Sequence, residues 1–173
     1  MTETFGLSSP EGIASGEPLV ESFDSFYLRQ YRQVLALANV LTGDHGVAED
    51  LTQEAFVAAF RSWSDIVNPE HWVRSVLTKR ARSWWRRVYA SRRATVKMYE
   101  PDAGIETLPP DTEDFWSEVR RLPARQALVV ALYYLDDRPT DEVARIVGCE
   151  PSTVRIHLSR ARKTLARRME VDE

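Results

Sequence analysis

Gly148 separates a short amphipathic segment from a longer one, and the fold must accommodate that break. Before it, Thr140 and Asp141 are candidate N-caps, and Val143, Ala144 and Val147 share one helical face. Glycine suits a helix end because it adopts left-handed backbone without steric cost. After it, Glu150, Pro151 and Ser152 begin a second helix, since proline is tolerated in a first helical turn. Val154, Leu158, Ala161 and Leu165 then follow at spacings of four, three and four, which makes one apolar stripe. The rest of that helix carries Arg155, Arg160, Arg162, Lys163, Arg167 and Arg168. Two helices meeting at a tight turn, the second with a basic surface, form the helix-turn-helix pattern that sets its second helix in a DNA major groove. At roughly 100° per residue, Ser152, Ile156, Ser159 and Lys163 point away from the stripe, flanked by Arg155 and Arg162 on one side and Arg160 on the other. An outward isoleucine fits contact with a thymine methyl, although isolated exposed apolar residues are also common.

Net charge is −3, which on its own argues against nucleic acid. The distribution reverses that conclusion. Residues 1–28 contain Glu3, Glu11, Glu17, Glu21 and Asp24 and no base. Residues 71–97 contain Arg74, Lys79, Arg80, Arg82, Arg86, Arg87, Arg92, Arg93 and Lys97 and no acid. Such a density of bases, interleaved with Trp72, Trp84, Trp85 and Tyr89, suits a phosphate backbone and unstacked bases. Residues 100–118 are acidic again, and the C-terminal helix is basic.

Apolar periodicity divides the chain into helices throughout, with no strand alternation. Residues 1–20 read as a flexible acidic tail. A first helix runs from Phe23, capped by Ser22, to Thr42 and Gly43. Asp44 can cap a second, expected over 47–63, with Leu51, Ala55, Ala58 and Ala59 on one apolar face and Phe56, Phe60 and Trp63 on another. Its polar remainder is a stripe of Asp50, Gln53, Glu54 and Arg61. Asp50 and Glu54 stand four residues apart, a like-charge pairing that a basic partner would relieve. After a loop with Asn68 and Pro69 as its turn signal, a third helix is expected over 69–91. Trp72, Val73, Val76, Leu77, Ala81, Trp84 and Val88 are its expected buried side, with Trp85 and Tyr89 at the margin. Residues 100–114, with four Pro and Gly positions, read as a linker. Further helices start at Phe115 and at Leu122-Pro123. The expected architecture is all-α, two small helical domains on a flexible acidic tether, with divisions at 1–20, 21–98, 99–114 and 115–170.

No apolar run is long enough to span a bilayer, and the N-terminus does not resemble a signal peptide. Cys149 is the one cysteine, so a reducing cytoplasm is the expected setting. His45, His71, His157 and Cys149 lack metal-ligand spacing, and no phosphate loop or nucleophile motif is present, so neither a cofactor, a metal nor enzymatic catalysis is expected.

These residues resemble the extracytoplasmic-function sigma factors of bacterial RNA polymerase, in both halves and in order. The segment AEDLTQEAF, 48–56, is similar to the signature helix of sigma domain two. The resemblance implies that Asp50, Gln53 and Glu54 dock on the coiled coil of the largest polymerase subunit. The segment HWVRSVLTKRARSWWRR, 71–87, is similar to the part that melts and reads the promoter −10 element. It implies −10 contacts from Arg74, Lys79, Arg80, Arg82, Arg86 and Arg87. The loop 62–70 departs from the family pattern, and which residues there would hold a flipped base stays open. The Trp84-Trp85 pair lies too far from Trp72 to match the tryptophans that open DNA in primary sigma factors.

Residues 122–165 resemble sigma domain four, which reads the −35 element. That implies −35 contacts from Ser152, Thr153, Arg155, Ile156, His157, Ser159, Arg160 and Lys163. Arg155-Ile156-His157 stands where Lys-Ser-Arg is commoner, so a departure in −35 preference is expected. The implied partners are core RNA polymerase, through its coiled coil and flap region, promoter DNA and an anti-sigma factor. Shielding of the basic helices by the acidic tail or linker is a further expectation. The alternatives are a free-standing helix-turn-helix regulator, which leaves 48–56 and 71–97 without a role, and an adaptor that binds polymerase without initiating.

Overall fold

The computed structural model describes residues 21–94 and 112–169, apart from the side chains of 92–94. The expected acidic tail and most of the expected linker lie outside these residues. Among the described residues the chain is all helical, without a strand. The helices are α1 (Phe23–Thr42), α2 (His45–Arg61), α3 (Pro69–Ala94), α4 (Glu113–Arg120), α5 (Ala124–Val130), α6 (Thr140–Val147) and α7 (Pro151–Met169). A 3-10 turn, Trp63–Asp65, follows α2, and a π-turn, Ala131–Leu135, continues α5.

Local chemistry sets most of these ends. The Ser22 side chain accepts from the Ser25 amide, and Asp44 accepts from the Val47 amide at 2.9 Å. Asn68 does the same for His71 at 3.1 Å, with Pro69 in the first turn of α3. Gly43 ends α1 in left-handed backbone, at φ 67°, with its N–H donating to the Asn39 carbonyl at 2.8 Å. Gly148 ends α6 in the same way at φ 75°, bonded to Ala144. The cap of α6 differs from expectation: Pro139 holds the capping position without a side-chain bond, and Thr140 is already helical. The second helix begins at His45 rather than 47, and the fourth at Glu113 rather than Phe115.

Helices α1, α2 and α3 pack around Phe26, Leu37, Leu41, Ala55, Phe56 and Leu77. Helices α5, α6 and α7 pack around Leu128, Leu132, Val143, Val154 and Leu158. Each fully buried leucine contributes about 2 kcal/mol from its removal from water. The two halves also touch one another: α3 meets α5 and α6, and α1 meets α4 and the π-turn.

The buried face of α3 differs from its expected register. Its fully covered line is Val73, Leu77, Ala81 and Trp85, joined by Arg74 and Thr78, whereas Trp72, Val76, Trp84 and Val88 are half-buried. Trp85, expected at the margin, is thus a core residue. Its Nε1–H donates to the Leu41 carbonyl at 3.1 Å, in the last turn of α1, where helix carbonyls lack partners of their own. Phe60, expected on a buried face, is 64% exposed and stacks edge-on against Phe23. Phe56, on the same expected face, is buried, so the second face of α2 is covered at Phe56 and open at Phe60.

Candidate functional site

Three surfaces carry the candidate residues. The first is the polar side of α2. Asp50, Gln53 and Glu54 are exposed and line one groove of about 430 Å³ with Val57, Ala58, Arg61 and, from α3, Arg80. Arg80 Nη1 lies 3.2 Å from Glu54 Oε2. This is the basic partner that the Asp50–Glu54 repulsion calls for. Both side chains are about half exposed, so the pair is worth well under about 1 kcal/mol and leaves Glu54 free to exchange partners.

The second surface is the basic side of α3. Lys79, Arg80, Arg86 and Arg87 are exposed, and Arg82 is half-buried. Lys79 and Arg82 face α6 across a groove of about 440 Å³ that also takes in Trp72, Val76, Arg145 and Gly148. Lys79, Arg82 and Arg86 face Arg125 across a neighbouring one. Cations from both halves are therefore opposed.

Arg74 does not lie on this surface. Its side chain is fully buried and forms a two-pronged ion pair with Asp136, from Nε to Oδ2 and from Nη2 to Oδ1 at 2.8 Å. Nη1 donates to the Glu70 carbonyl at 3.2 Å. The pair is the centre of a network across the halves. Arg138 reaches Asp136 at 2.9 Å, Glu70 at 3.0 Å and Glu142 at 2.9 Å. Glu70 also meets Arg29, which holds Glu21 at 2.8 Å. Burial pushes the Glu70 carboxyl up, but hydrogen bonds from Arg29 and Arg138 outweigh it and hold it below the usual carboxylate range. Burial likewise lowers Arg138, and the facing carboxylates of Asp136 and Glu70 more than offset it.

The π-turn positions Asp136. Its N–H donates five residues back to the Ala131 carbonyl, Asp137 takes left-handed backbone at φ 52°, and the Arg138 N–H returns to Leu132. Asp is among the few residues that adopt that backbone readily. Sequence reasoning did not single out Asp136, Glu70 or Arg138. The available signal was the charged run Asp136-Asp137-Arg138 directly after an apolar helix.

The third surface is α7. Ser152, Arg155, Ile156, Ser159, Arg160 and Lys163 are exposed, and Thr153 is half-buried. Arg162, on the flank, bonds the Tyr134 hydroxyl at 2.7 Å with its guanidinium over that ring. His157 differs from its neighbours. It is half-buried, with Nδ1 enclosed and unbonded, and burial, then Arg125 and Arg160, hold its pKa below the ordinary value. The half-buried ring is set back from the outward face. No three His, Cys, Asp or Glu among the described residues are grouped to hold a metal, and no described helix is long and apolar enough to cross a membrane.

Known proteins resemble this arrangement in both halves. Residues 26–92 match the family model for Sigma-70 region 2, and residues 112–165 match that for Sigma-70, region 4. The chain is 26% identical over 164 residues to an RNA polymerase sigma-E factor of Streptomyces avermitilis, covering 91% of this chain and 89% of that protein. It is 28% identical over 145 residues to RfaY, a probable RNA polymerase sigma factor of Xanthomonas campestris pv. campestris, covering 76% of this chain but only 36% of that longer protein. Among solved structures, the sigma factor RpoE of Bartonella quintana, in complex with the anti-sigma factor NepR, aligns with a TM-score of 0.73 at 24% identity, covering 87% of this chain and 98% of that one. CnrH, in complex with the cytosolic domain of CnrY, aligns with a TM-score of 0.67 at 19% identity, covering 87% and 89%. At these identities the two structures establish a shared fold.

Proposed function

Because the chain belongs to the sigma-70 family of RNA polymerase sigma factors, in its extracytoplasmic-function group, we propose that it binds core polymerase through α2 and carries it to promoters read by α3 and α7. The observation that carries this reading is the exposed stripe of Asp50, Gln53 and Glu54 on a chain that also presents a basic recognition helix. A regulator acting on duplex DNA alone would have no use for that stripe.

In this mechanism α2 offers carboxylates to a basic face of polymerase. Helix α7 enters the −35 major groove with Arg155, Ile156, Ser159, Arg160 and Lys163, while Ser152 and Thr153 at its N-terminal turn approach the backbone. Lys79, Arg80, Arg82, Arg86 and Arg87 follow the −10 phosphates, and Arg74 joins them only once it leaves Asp136. Phosphate contacts set affinity and register, and base contacts set promoter choice. Strand opening costs a few kcal/mol per unstacked step, offset by capture of the freed strand. No catalytic step falls to this chain. An anti-sigma factor is a further proposed partner, since both aligned structures are complexes with other proteins, NepR and CnrY.

In vitro transcription with core polymerase tests the reading, with defined start sites as the expected result. Duplex binding without core, and no start sites with it, would favour the free-standing regulator. Asp50→Lys or Glu54→Lys should each reduce core binding at least tenfold. Wild-type binding by both variants would remove α2 from the interface.

A further inference from the structure

We propose that Asp136 is an internal competitor of DNA phosphate for the Arg74 guanidinium, so that packing of the two halves and DNA binding by α3 exclude one another. The proposal rests on the reading that α3 contacts DNA.

Arg74 has no exposed surface, and its Nε and Nη2 both point at the Asp136 carboxylate. A carboxylate and a phosphate accept from a guanidinium with the same fork geometry, so the two anions claim the same donors. Arg74 lies on the same helix as the exposed cations Lys79, Arg80, Arg86 and Arg87. A phosphate that reaches Arg74 must displace Asp136, and with it the second half of the chain.

The packing is suited to being undone. A buried ion pair gains Coulomb energy but forfeits the hydration of both partners, so its net contribution is small. When the halves part, Arg74 and Asp136 regain water together, and neither is left buried alone. Glu70 and Arg138 add a second bridge of the same kind beside it. Against these bridges stands repulsion, because Lys79, Arg82 and Arg86 of α3 face Arg125 and Arg145 of the other half, and no acid lines either groove. The ionic attraction is confined to one corner, beside apolar contacts of α3 with α5 and α6, while the charge repulsion is spread along the cleft. An anionic strand shifts that balance in two ways, by taking Arg74 from Asp136 and by occupying the cations of α3. The π-turn and the left-handed Asp137 hold the competing carboxylate in place rather than on a free side chain at a loop tip.

The test uses the full chain and a mixed-sequence 20-nucleotide single-stranded DNA as probe, at low salt. Small-angle scattering reports compactness and fluorescence anisotropy reports affinity. Saturating DNA should expand the wild-type chain. Asp136→Asn, which keeps the shape and loses the charge, should be expanded without DNA and bind about tenfold tighter. By linkage, that gain should match the bias that closure imposes on wild-type binding. Asp137→Asn removes the same charge one residue away, at a position whose backbone asparagine tolerates, and should stay compact with affinity within twofold of wild type. Arg74→Gln should expand the free chain without tightening binding, since the contested guanidinium is gone.

A wild-type chain that binds the probe without expanding would overturn the proposal, and this requires no variant to fold. So would an Asp136→Asn chain that stays compact, or an Asp137→Asn chain that tightens binding equally, which would reduce the effect to net charge. Loss of promoter-specific transcription by the wild-type chain would instead sink the sigma reading, independently of these measurements.

Discussion

Replacing Trp85 with phenylalanine tests how the first half holds together. The indole is 8% exposed, and its Nε1–H meets the Leu41 carbonyl at 3.1 Å in the terminal turn of α1. Phenylalanine retains most of the apolar contact but leaves that enclosed carbonyl without its donor, a loss of about 1–3 kcal/mol. The smaller ring also leaves space beside Leu41, which adds about 1 kcal/mol. The expected cost is therefore about 2–4 kcal/mol. For a chain of this size that lowers Tm by roughly 5–12 °C. Urea unfolding followed by far-ultraviolet circular dichroism measures it directly. The neighbouring Trp84 is half-buried, and Trp84→Phe serves as the matched control, with an expected cost below about 1 kcal/mol. If the two variants differ by less than about 0.5 kcal/mol, the indole bond is not what ties α3 to the end of α1.

Three other outcomes follow from the structure. Gly148→Ala should cost about 1–2 kcal/mol in unfolding free energy, because the added Cβ meets no atom within 4 Å and backbone at φ 75° is the sole penalty; Gly148→Asn should cost less. Glu70, held below its ordinary value of 4.5, contributes stability above that pH which is lost as pH falls through its folded-state value. The stability difference between wild type and Glu70→Gln, read from denaturation midpoints between pH 6 and about 3, should therefore shrink with acid. Ile156→Ser should leave stability within about 0.5 kcal/mol and alter tolerance at a thymine-containing −35 position, as read by sequencing run-off products; an unchanged promoter profile would make Ile156 an ordinary exposed residue.

The helices were legible because their signals are local. Ser22, Asp44, Asn68, Gly43 and Gly148 are short-range devices, and each acts where the residue order places it. The polar stripe on α2 was legible for the same reason, since three residues at helical spacing define a face. The burial of Arg74 was not legible because the carboxylate that meets it lies 62 residues away. A helical wheel assigns an arginine to water unless a distant carboxylate is known to meet it. Trp85 and Phe60 exchanged their expected environments for a related reason. Periodicity identifies an apolar face only to within a residue or so, and how many neighbours cover that face decides which residues close over. His157 follows the same logic, because α7 has α5 as well as α6 against it and one more of its positions turns inward.

Gly43 shows how far such distant contacts can constrain one position. A Cβ built there would stand 2.9 Å from Arg120 Nε and 3.0 Å from its Cδ. The backbone at φ 67° already restricts this site to glycine or asparagine. Asparagine, which local geometry would admit, presses against a side chain of α4 from the other half of the chain. One residue thus ends a helix and leaves room for a side chain of a second folding unit beside it. The repertoire tolerated at position 43 is narrower than either task alone would impose. A larger residue at 43 would have to turn the Arg120 side chain aside, and with it the ion pair that Arg120 makes with Glu113.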